Sequence, residues 1–196
     1  MNRLLFLIFL GIFTYMRNTI WENEYTLWVD VVIASPAKII PHINLGNAFI
    51  RMGAFEKAEG EFLTAVAINV LDIRGHSGLG AVYFQKRLFH KAVKEFQLIT
   101  KGKPKFPPGH NNLGAVYVEL GLLDEAVNEL KIAIELDPSF PDAYANLGIA
   151  YKKKGELKEA KLELEKALQL NRNNINARKN LNEVMRLLEK DSSYSQ

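Results

Sequence analysis

Cysteine is absent from the 196 residues of this chain. Its absence excludes disulfide bonds, thiol catalysis, thiolate zinc sites and lipid attachment through cysteine, and it leaves the redox compartment undetermined. A large excess of charge is also missing, because 25 basic side chains nearly balance 22 acidic ones. The formal net charge of +3 gives no reason to expect a nucleic-acid partner. Hydrophobic residues make up 48% of the chain, which is enough to bury a core.

A recognisable catalytic or metal-binding set is missing too. His42, His76 and His110 recur at one constant spacing, but equivalent atoms in successive helical repeats stand roughly 8 to 10 Å apart. A metal ion holds each ligand at about 2 Å, so it cannot bridge them, and we expect these histidines to serve packing. The carboxylates show no paired context for acid–base chemistry. We therefore expect a protein that is not an enzyme and uses no cofactor.

One constant period, the interval from Gly46 to Gly80, organises most of the chain. The segment "NNLGAVYVELGLLDEA" at 111–126 returns as "ANLGIAYKKKGELKEA" at 145–160. Four columns recur, consisting of a glycine, an aromatic residue, an alanine and a large apolar residue. Their members are Gly46, Gly80, Gly114 and Gly148; Phe49, Tyr83, Tyr117 and Tyr151; Ala58, Ala92, Ala126 and Ala160; and Phe62, Phe96, Leu130 and Leu164. A period between 20 and 50 residues indicates a repeat architecture.

Each repeat is predicted to be a hairpin of two helices. Apolar residues follow helical spacing over two stretches of about 14 residues, with glycine and alanine where the helix axes must approach closely. The turn inside the hairpin carries Gly53, Gly121 or Gly155, but Arg87 in the second repeat. The predicted helices are 39–52, 55–69, 73–86, 89–101, 107–120, 123–136, 141–154 and 157–170.

These columns resemble the tetratricopeptide repeat (TPR), a helical hairpin of about 34 residues with small, aromatic and proline positions in this order. Here the prolines are Pro36, Pro104 and Pro138, whereas Val70 follows the first hairpin. The resemblance implies an all-α fold, a right-handed superhelical solenoid. It covers 37–172 as four repeats at 39–72, 73–106, 107–140 and 141–174.

The two ends of the repeat array are expected to differ in character. Residues 175–190 are expected to form a capping helix, followed by a disordered tail at 191–196. Within the array, the second hairpin is expected to be the least stable, since Gly75, Gly78 and Gly80 share one helix.

Asparagine recurs two residues before the glycine column, with Gly78 interrupting the series. In TPR arrays this column lines the inner, concave face, and it is similar to the asparagine ladder of O-linked N-acetylglucosamine transferase. An amide offers both donors and acceptors, so a ladder of amides can bind the backbone of an extended peptide, although packing within the repeat is an alternative role. The predicted peptide-binding residues are Asn44, Asn47, Asn112, Asn146, Lys152 and Asn180.

Charge is distributed unevenly along the repeats. Residues 86–105 hold seven lysines or arginines against Glu95, and residues 119–142 hold seven acids against Lys131. We expect two patches of opposite sign on one body, either as solvated helix faces or as docking surfaces.

The first residues, "MNRLLFLIFLGIFTYMR", carry no charge from Leu4 to Met16. We predict that 1–17 is a hydrophobic, membrane-associated helix, although 13 helical residues reach only about 20 Å of a hydrocarbon core about 30 Å thick. A secretory signal is an alternative, but "TYMRNTIW" offers no small-residue cleavage site. Residues 18–36 are predicted to form a partial first repeat helix, and another alternative makes the apolar segment the first helix of that extra repeat.

The join between this segment and the repeats resembles the passage from the last membrane helix into the repeats of transmembrane TPR mannosyltransferases and related glycosyltransferases. That resemblance implies repeats on the extracytoplasmic side, periplasmic or luminal. The matching residues are Tyr15, Arg17, Asn18, Trp21, Leu27, Trp28, Ser35 and Pro36.

The expected function follows from the groove and the apolar segment together. We expect a membrane-anchored TPR scaffold that binds a protein or peptide segment in its concave groove and has no enzymatic activity. The alternatives are a C-terminal or accessory TPR region of a multi-spanning membrane glycosyltransferase and a soluble TPR adaptor.

Overall fold

The computed structural model describes residues 24–193 of the chain. Over that range it contains ten helices and no strand, which confirms the all-α prediction for this part. The predicted membrane-associated segment at 1–17 lies outside the described residues. The helices are α1 (Glu24–Ala34), α2 (Ile39–Arg51), α3 (Phe55–Ile68), α4 (Ile73–Gln85), α5 (Phe89–Gly102), α6 (Pro107–Leu120), α7 (Leu123–Leu136), α8 (Pro141–Lys154), α9 (Leu157–Leu170) and α10 (Ile175–Ser193).

The last helix is longer than expected. The sequence predicts a capping helix that ends at residue 190, but α10 continues to Ser193. Asp191, Ser192 and Ser193 include neither proline nor glycine, so no residue there forces the helix to stop. The start of the predicted disordered tail is therefore helical, and residues 194–196 lie outside the described range.

The chain divides into two compact units between Lys86 and Arg87. Of the described helices, unit 1 contains α1 to α4 and unit 2 contains α5 to α10. The division falls at the turn inside the second predicted hairpin. Arg87 has a φ of 58°, a left-handed conformation that costs a residue with a side chain about 1 to 2 kcal/mol. The equivalent Gly121 reaches a φ of 75° without that cost.

Close approach of two helices holds the hairpins of unit 2 together. A Cβ atom built on Gly148 of α8 would lie 2.6 Å from the Cγ of Leu164 and 3.1 Å from the backbone oxygen of Ala160 in α9. Leu164 and Ala160 are fully buried. Gly114 of α6 faces Leu130 of α7 in the same way, with 2.6 Å to Cγ. The predicted role of the glycine column is thereby confirmed in these two hairpins.

In unit 1 a single aromatic ring fills the space between two hairpins. Cβ atoms built on Gly46 and Gly78 would lie 2.8 Å and 2.3 Å from ring carbons of Phe62, which is fully buried. Gly78 takes the place of an asparagine in its column because the ring occupies the space that a side chain there would need. The interruption of the asparagine series therefore has a steric cause.

The recurring histidines tie the repeats together. The Nε2 atoms of His42, His76 and His110 lie 2.9 Å from the backbone oxygens of the residues six positions earlier, in the turns that join successive hairpins. On the other side of the ring, His110 Nδ1 lies 2.6 Å from an oxygen of Glu129. Each buried ring thus connects a turn to its own hairpin, which is the packing role that we expected.

We predict opposite effects for two glycine-to-alanine substitutions. Gly148→Ala should lower the free energy of unfolding by about 1 to 3 kcal/mol, because its Cβ would overlap Leu164. Gly60→Ala is the matched control inside α3, where a new Cβ meets no atom within 4 Å, so it should stabilise the protein by about 0.5 to 1 kcal/mol. Urea unfolding followed by circular dichroism measures both changes, and loss of stability of equal size in both would contradict the packing described.

Candidate functional site

The candidate site of unit 2 lies on the first helices of its hairpins. Helix α6 packs against α8, and α8 packs against α10, so these helices form a continuous layer. The asparagine column runs across this layer, one residue per helix. Asn112 lies on α6, Asn146 on α8 and Asn180 on α10.

A chain of amide hydrogen bonds connects α6 and α8. Asn146 donates from Nδ2 to Oδ1 of Asn111 over 2.9 Å, and Asn111 donates from Nδ2 to Oδ1 of Asn112 over 3.2 Å. Asn112 and Asn146 are half-buried, whereas Asn111 is only 7% exposed. The two predicted residues therefore meet through a third, Asn111, which we had not predicted. Its position directly before Asn112 was the signal available in the sequence.

Asn180 belongs to a different cluster. Its Oδ1 accepts a hydrogen bond of 2.7 Å from Nζ of Lys152, and its Nδ2 donates to the backbone oxygen of Asn176 over 2.9 Å. Nζ of Lys152 also lies 2.7 Å from a carboxylate oxygen of Glu183, and the lysine side chain is 16% exposed. Hydrogen bonding and charge from Lys152 lower the pKa of the Glu183 carboxyl, with a smaller effect from Lys179. The structure thus joins Lys152 and Asn180 in an internally neutralised cluster.

The lysine next to this cluster is also engaged. Lys153 donates from Nζ to the backbone oxygen of Val118 over 3.1 Å and lies 3.3 Å from an oxygen of Glu119. Both contacts bridge α8 to the last turn of α6, where backbone carbonyls lack helical partners. Like Lys152, Lys153 meets a carboxylate of its own chain.

The two remaining predicted residues lie in unit 1. Asn44 and Asn47 are one turn apart on α2, and both are half-buried. Within residues 24–193 neither amide hydrogen-bonds to another residue. The amide chain described above is therefore confined to unit 2.

Residues 24–193 contain neither a candidate metal site nor a candidate membrane-spanning helix. No group of three or more histidines, aspartates or glutamates in residues 24–193 could hold a metal ion. None of the helices in that range combines the length and the hydropathy required to span a bilayer.

Known repeat families match part of unit 2. A model described as TPR repeat matches residues 114–155, and a tetratricopeptide repeat model matches residues 141–174. These residues are tetratricopeptide repeats. The TPR resemblance of the sequence is thereby confirmed, whereas the resemblance of the first 36 residues to glycosyltransferases stays a prediction. No protein of curated function matches the chain.

Solved structures extend the TPR likeness to most of the chain. TTC0263, a TPR protein of Thermus thermophilus, is 22% identical, with a TM-score of 0.73 over 90% of this chain and 95% of its own. PilF of Pseudomonas aeruginosa is 24% identical, with a TM-score of 0.70 over 80% and 70%. The first TPR domain of Spaghetti (RPAP3), bound to the HSP90 peptide SRMEEVD, is 26% identical, with a TM-score of 0.54 over 56% and 87%. Most of the chain thus has the fold of these TPR proteins.

The cluster around Lys152 predicts a shift in one carboxyl group. Lys152→Ala removes the main cause of the lowered pKa of Glu183, so that pKa should rise towards its ordinary value. Carbon-13 NMR titration of the glutamate carboxyl groups measures the change. Lys158→Ala, an exposed lysine on α9, is the control and should leave Glu183 unchanged. An unaltered Glu183 titration in the Lys152 variant would mean that the ion pair is absent in solution.

Proposed function

We propose that this TPR protein is a scaffold that binds an extended protein segment on the first-helix face of its hairpins. The observation that carries the proposal is the amide chain from Asn146 through Asn111 to Asn112. A buried asparagine without a partner would destabilise the fold, so two hydrogen bonds hold these side chains in fixed orientations. A fixed row of amides presents hydrogen-bonding groups to a ligand without first having to order them.

The hydrogen-bonding groups that remain available at the two ends of the amide chain complement those of a peptide unit. The Nδ2 donor of Asn112 and the Oδ1 acceptor of Asn146 bond to no other residue within 24–193. A backbone carbonyl of a ligand can accept from Asn112, and a backbone N–H can donate to Asn146. Both side chains are half-buried, so a ligand can reach them. The two ends of the amide chain therefore favour a ligand with an exposed backbone, such as an extended segment.

The charges beside the amide chain bear on which ligands are favoured. Because carboxylates of the same chain neutralise Lys152 and Lys153, these lysines provide little excess charge to attract an acidic segment. Lys152 and Asn180 support the site by fixing α8 against α10. The RPAP3 domain, whose structure contains a bound HSP90 peptide, is a precedent for peptide binding by a similar fold.

Loss of the amide pair should weaken peptide binding. Each hydrogen bond contributes about 0.5 to 1.5 kcal/mol, so Asn112→Ala combined with Asn146→Ala should reduce affinity by roughly 5-fold to 150-fold if the two losses add. The probes are heptapeptides that the full chain selects from a random display library, labelled with fluorescein, and anisotropy titration gives their dissociation constants.

Lys158→Ala, on the second helix of the last hairpin, is the control for that measurement and should bind like wild type. If the asparagine variant bound every selected peptide with wild-type affinity, the proposed face would be the wrong one. Hydrogen exchange on each variant verifies that α6 and α8 remain folded.

We further propose that residues 4–16 attach the protein to a membrane, with the repeats on the extracytoplasmic side. The uncharged run from Leu4 to Met16 supports attachment. Deletion of residues 1–17 should move the protein from the membrane pellet to the supernatant after cell fractionation, with its helical circular dichroism preserved. External protease on intact spheroplasts should digest the repeats of the full chain. A full chain found in the supernatant would favour the soluble adaptor instead.

A further inference from the structure

The outer face of α5 carries a stripe of positive charge. Its exposed side chains lie within about 100° of helical rotation of one another, and no acidic residue lies among them. Leu98, which is 52% exposed, sits in the middle of the stripe. Within residues 24–193, Lys94 and Lys101 form no ion pair. We call this surface the basic stripe; its residues are His90, Lys91, Lys94, Leu98 and Lys101 of α5, together with Arg87 in the turn before the helix.

The outer face of α7 carries the opposite charge at the same repeat positions. Asp124, Glu125 and Glu135 follow His90, Lys91 and Lys101 at an interval of one repeat, and Ile132 follows Leu98. The three acids are exposed, and Asp124 also lies 2.8 Å from Nζ of Lys154. Glu125 and Glu135 form no ion pair in the described part of the chain. We call this surface the acidic stripe; its residues are Asp124, Glu125, Asn128, Ile132 and Glu135.

Both stripes belong to unit 2 and lie side by side. Helices α5 and α7 both pack against α6, and equivalent positions of successive repeats point in the same direction. One face of unit 2 thus presents a positive helix and a negative helix, each with an aliphatic residue in its middle part. Such a face is complementary to a second copy of itself related by a two-fold axis.

We propose that this face joins two copies of the chain in a symmetric dimer, which goes beyond the binding of a peptide on the first-helix face. The two-fold axis runs parallel to the helices, between the two stripes, so the basic stripe of each copy lies against the acidic stripe of its partner with the two facing helices parallel. In this arrangement Lys91 at the start of α5 meets Glu125 at the start of α7, and Lys101 meets Glu135 near the other ends of the helices. Leu98 and Ile132 cover one another near the centre.

A second copy fits this face better than an anionic lipid surface does. A lipid surface laid against the basic stripe would also approach the carboxylates of α7, which it repels. An acidic protein would meet the same obstacle. A second copy satisfies both stripes at once, because the position that is positive on one helix is negative on the other.

The size of the face determines how strong the dimer is. Two helices of 14 residues are each about 21 Å long, so they cover about 400 Å² per copy when laid side by side at packing distance. Standard stable interfaces bury about 800 Å² per partner. The dimer is therefore weak and depends on charge, which places its formation under the control of protein concentration and ionic strength.

Sedimentation equilibrium of the full chain tests the proposal, in a non-ionic detergent that covers the apolar residues 4–16. Dimers should form at low salt and dissociate as salt shortens the Debye length from about 30 Å at 0.01 M to about 3 Å at 1 M. Lys91→Glu with Lys101→Glu makes the paired positions of both stripes acidic, and Glu125→Lys with Glu135→Lys makes those positions basic in both. Each double variant should associate with itself roughly tenfold or more weakly, since exposed ion pairs are lost and like charges oppose one another.

An equimolar mixture of the two double variants tests whether complementary charges restore the dimer. Its acidic and basic copies are complementary at both contacts, so dimers should return to the wild-type level, which also shows that both variants are folded. Lys158→Glu with Lys166→Glu on α9 is the control, because it changes the net charge equally outside the stripes and should dimerise like wild type. A monomeric wild type at low salt, a dimer that survives in either variant, or a mixture that fails to recover would each overturn the proposal.

Discussion

The rest of the structure depends on the distance at which two helices of a hairpin can pack. In unit 2 that distance is set by a glycine on one helix, which leaves space for a leucine of the other, with a buried alanine one turn away. Packing inside a hairpin buries only part of its apolar surface. The next hairpin must cover the rest. The position of a residue relative to this glycine therefore decides whether its side chain points towards the packed helices or towards solvent.

The repeat places two kinds of polar surface on different helices of unit 2. The first helices present amides whose hydrogen bonds run from one repeat to the next, together with lysines whose charges are neutralised within the chain. The second helices α5 and α7 present exposed charge that reverses sign from one helix to the other. Surfaces of such different polarity can bind different partners without competition, and the repeat places them on opposite helices of the same hairpin.

The fold was largely predictable from the sequence, because the columns repeat at a fixed interval. The eight repeat helices begin and end within one residue of the predicted positions, and only the end of α10 was misplaced. The candidate site was less predictable. Asn111 joins a residue 35 positions away, and Lys152 reaches residues 28 and 31 positions away. Such contacts form between side chains of neighbouring hairpins. They cannot be predicted from a single position of the repeat.

The hydrogen bonds among the amides have a kinetic consequence. A segment that bonds to Nδ2 of Asn112 or Oδ1 of Asn146 uses groups outside the amide chain, so the hydrogen bonds among the amides stay in place. The empty face loses little when its occupant leaves, because the amides remain satisfied by one another. For the proposed binding of extended segments, differences in affinity are then expected to arise mainly from differences in residence time. A face of this kind has the same internal hydrogen bonds before one occupant arrives and after it leaves.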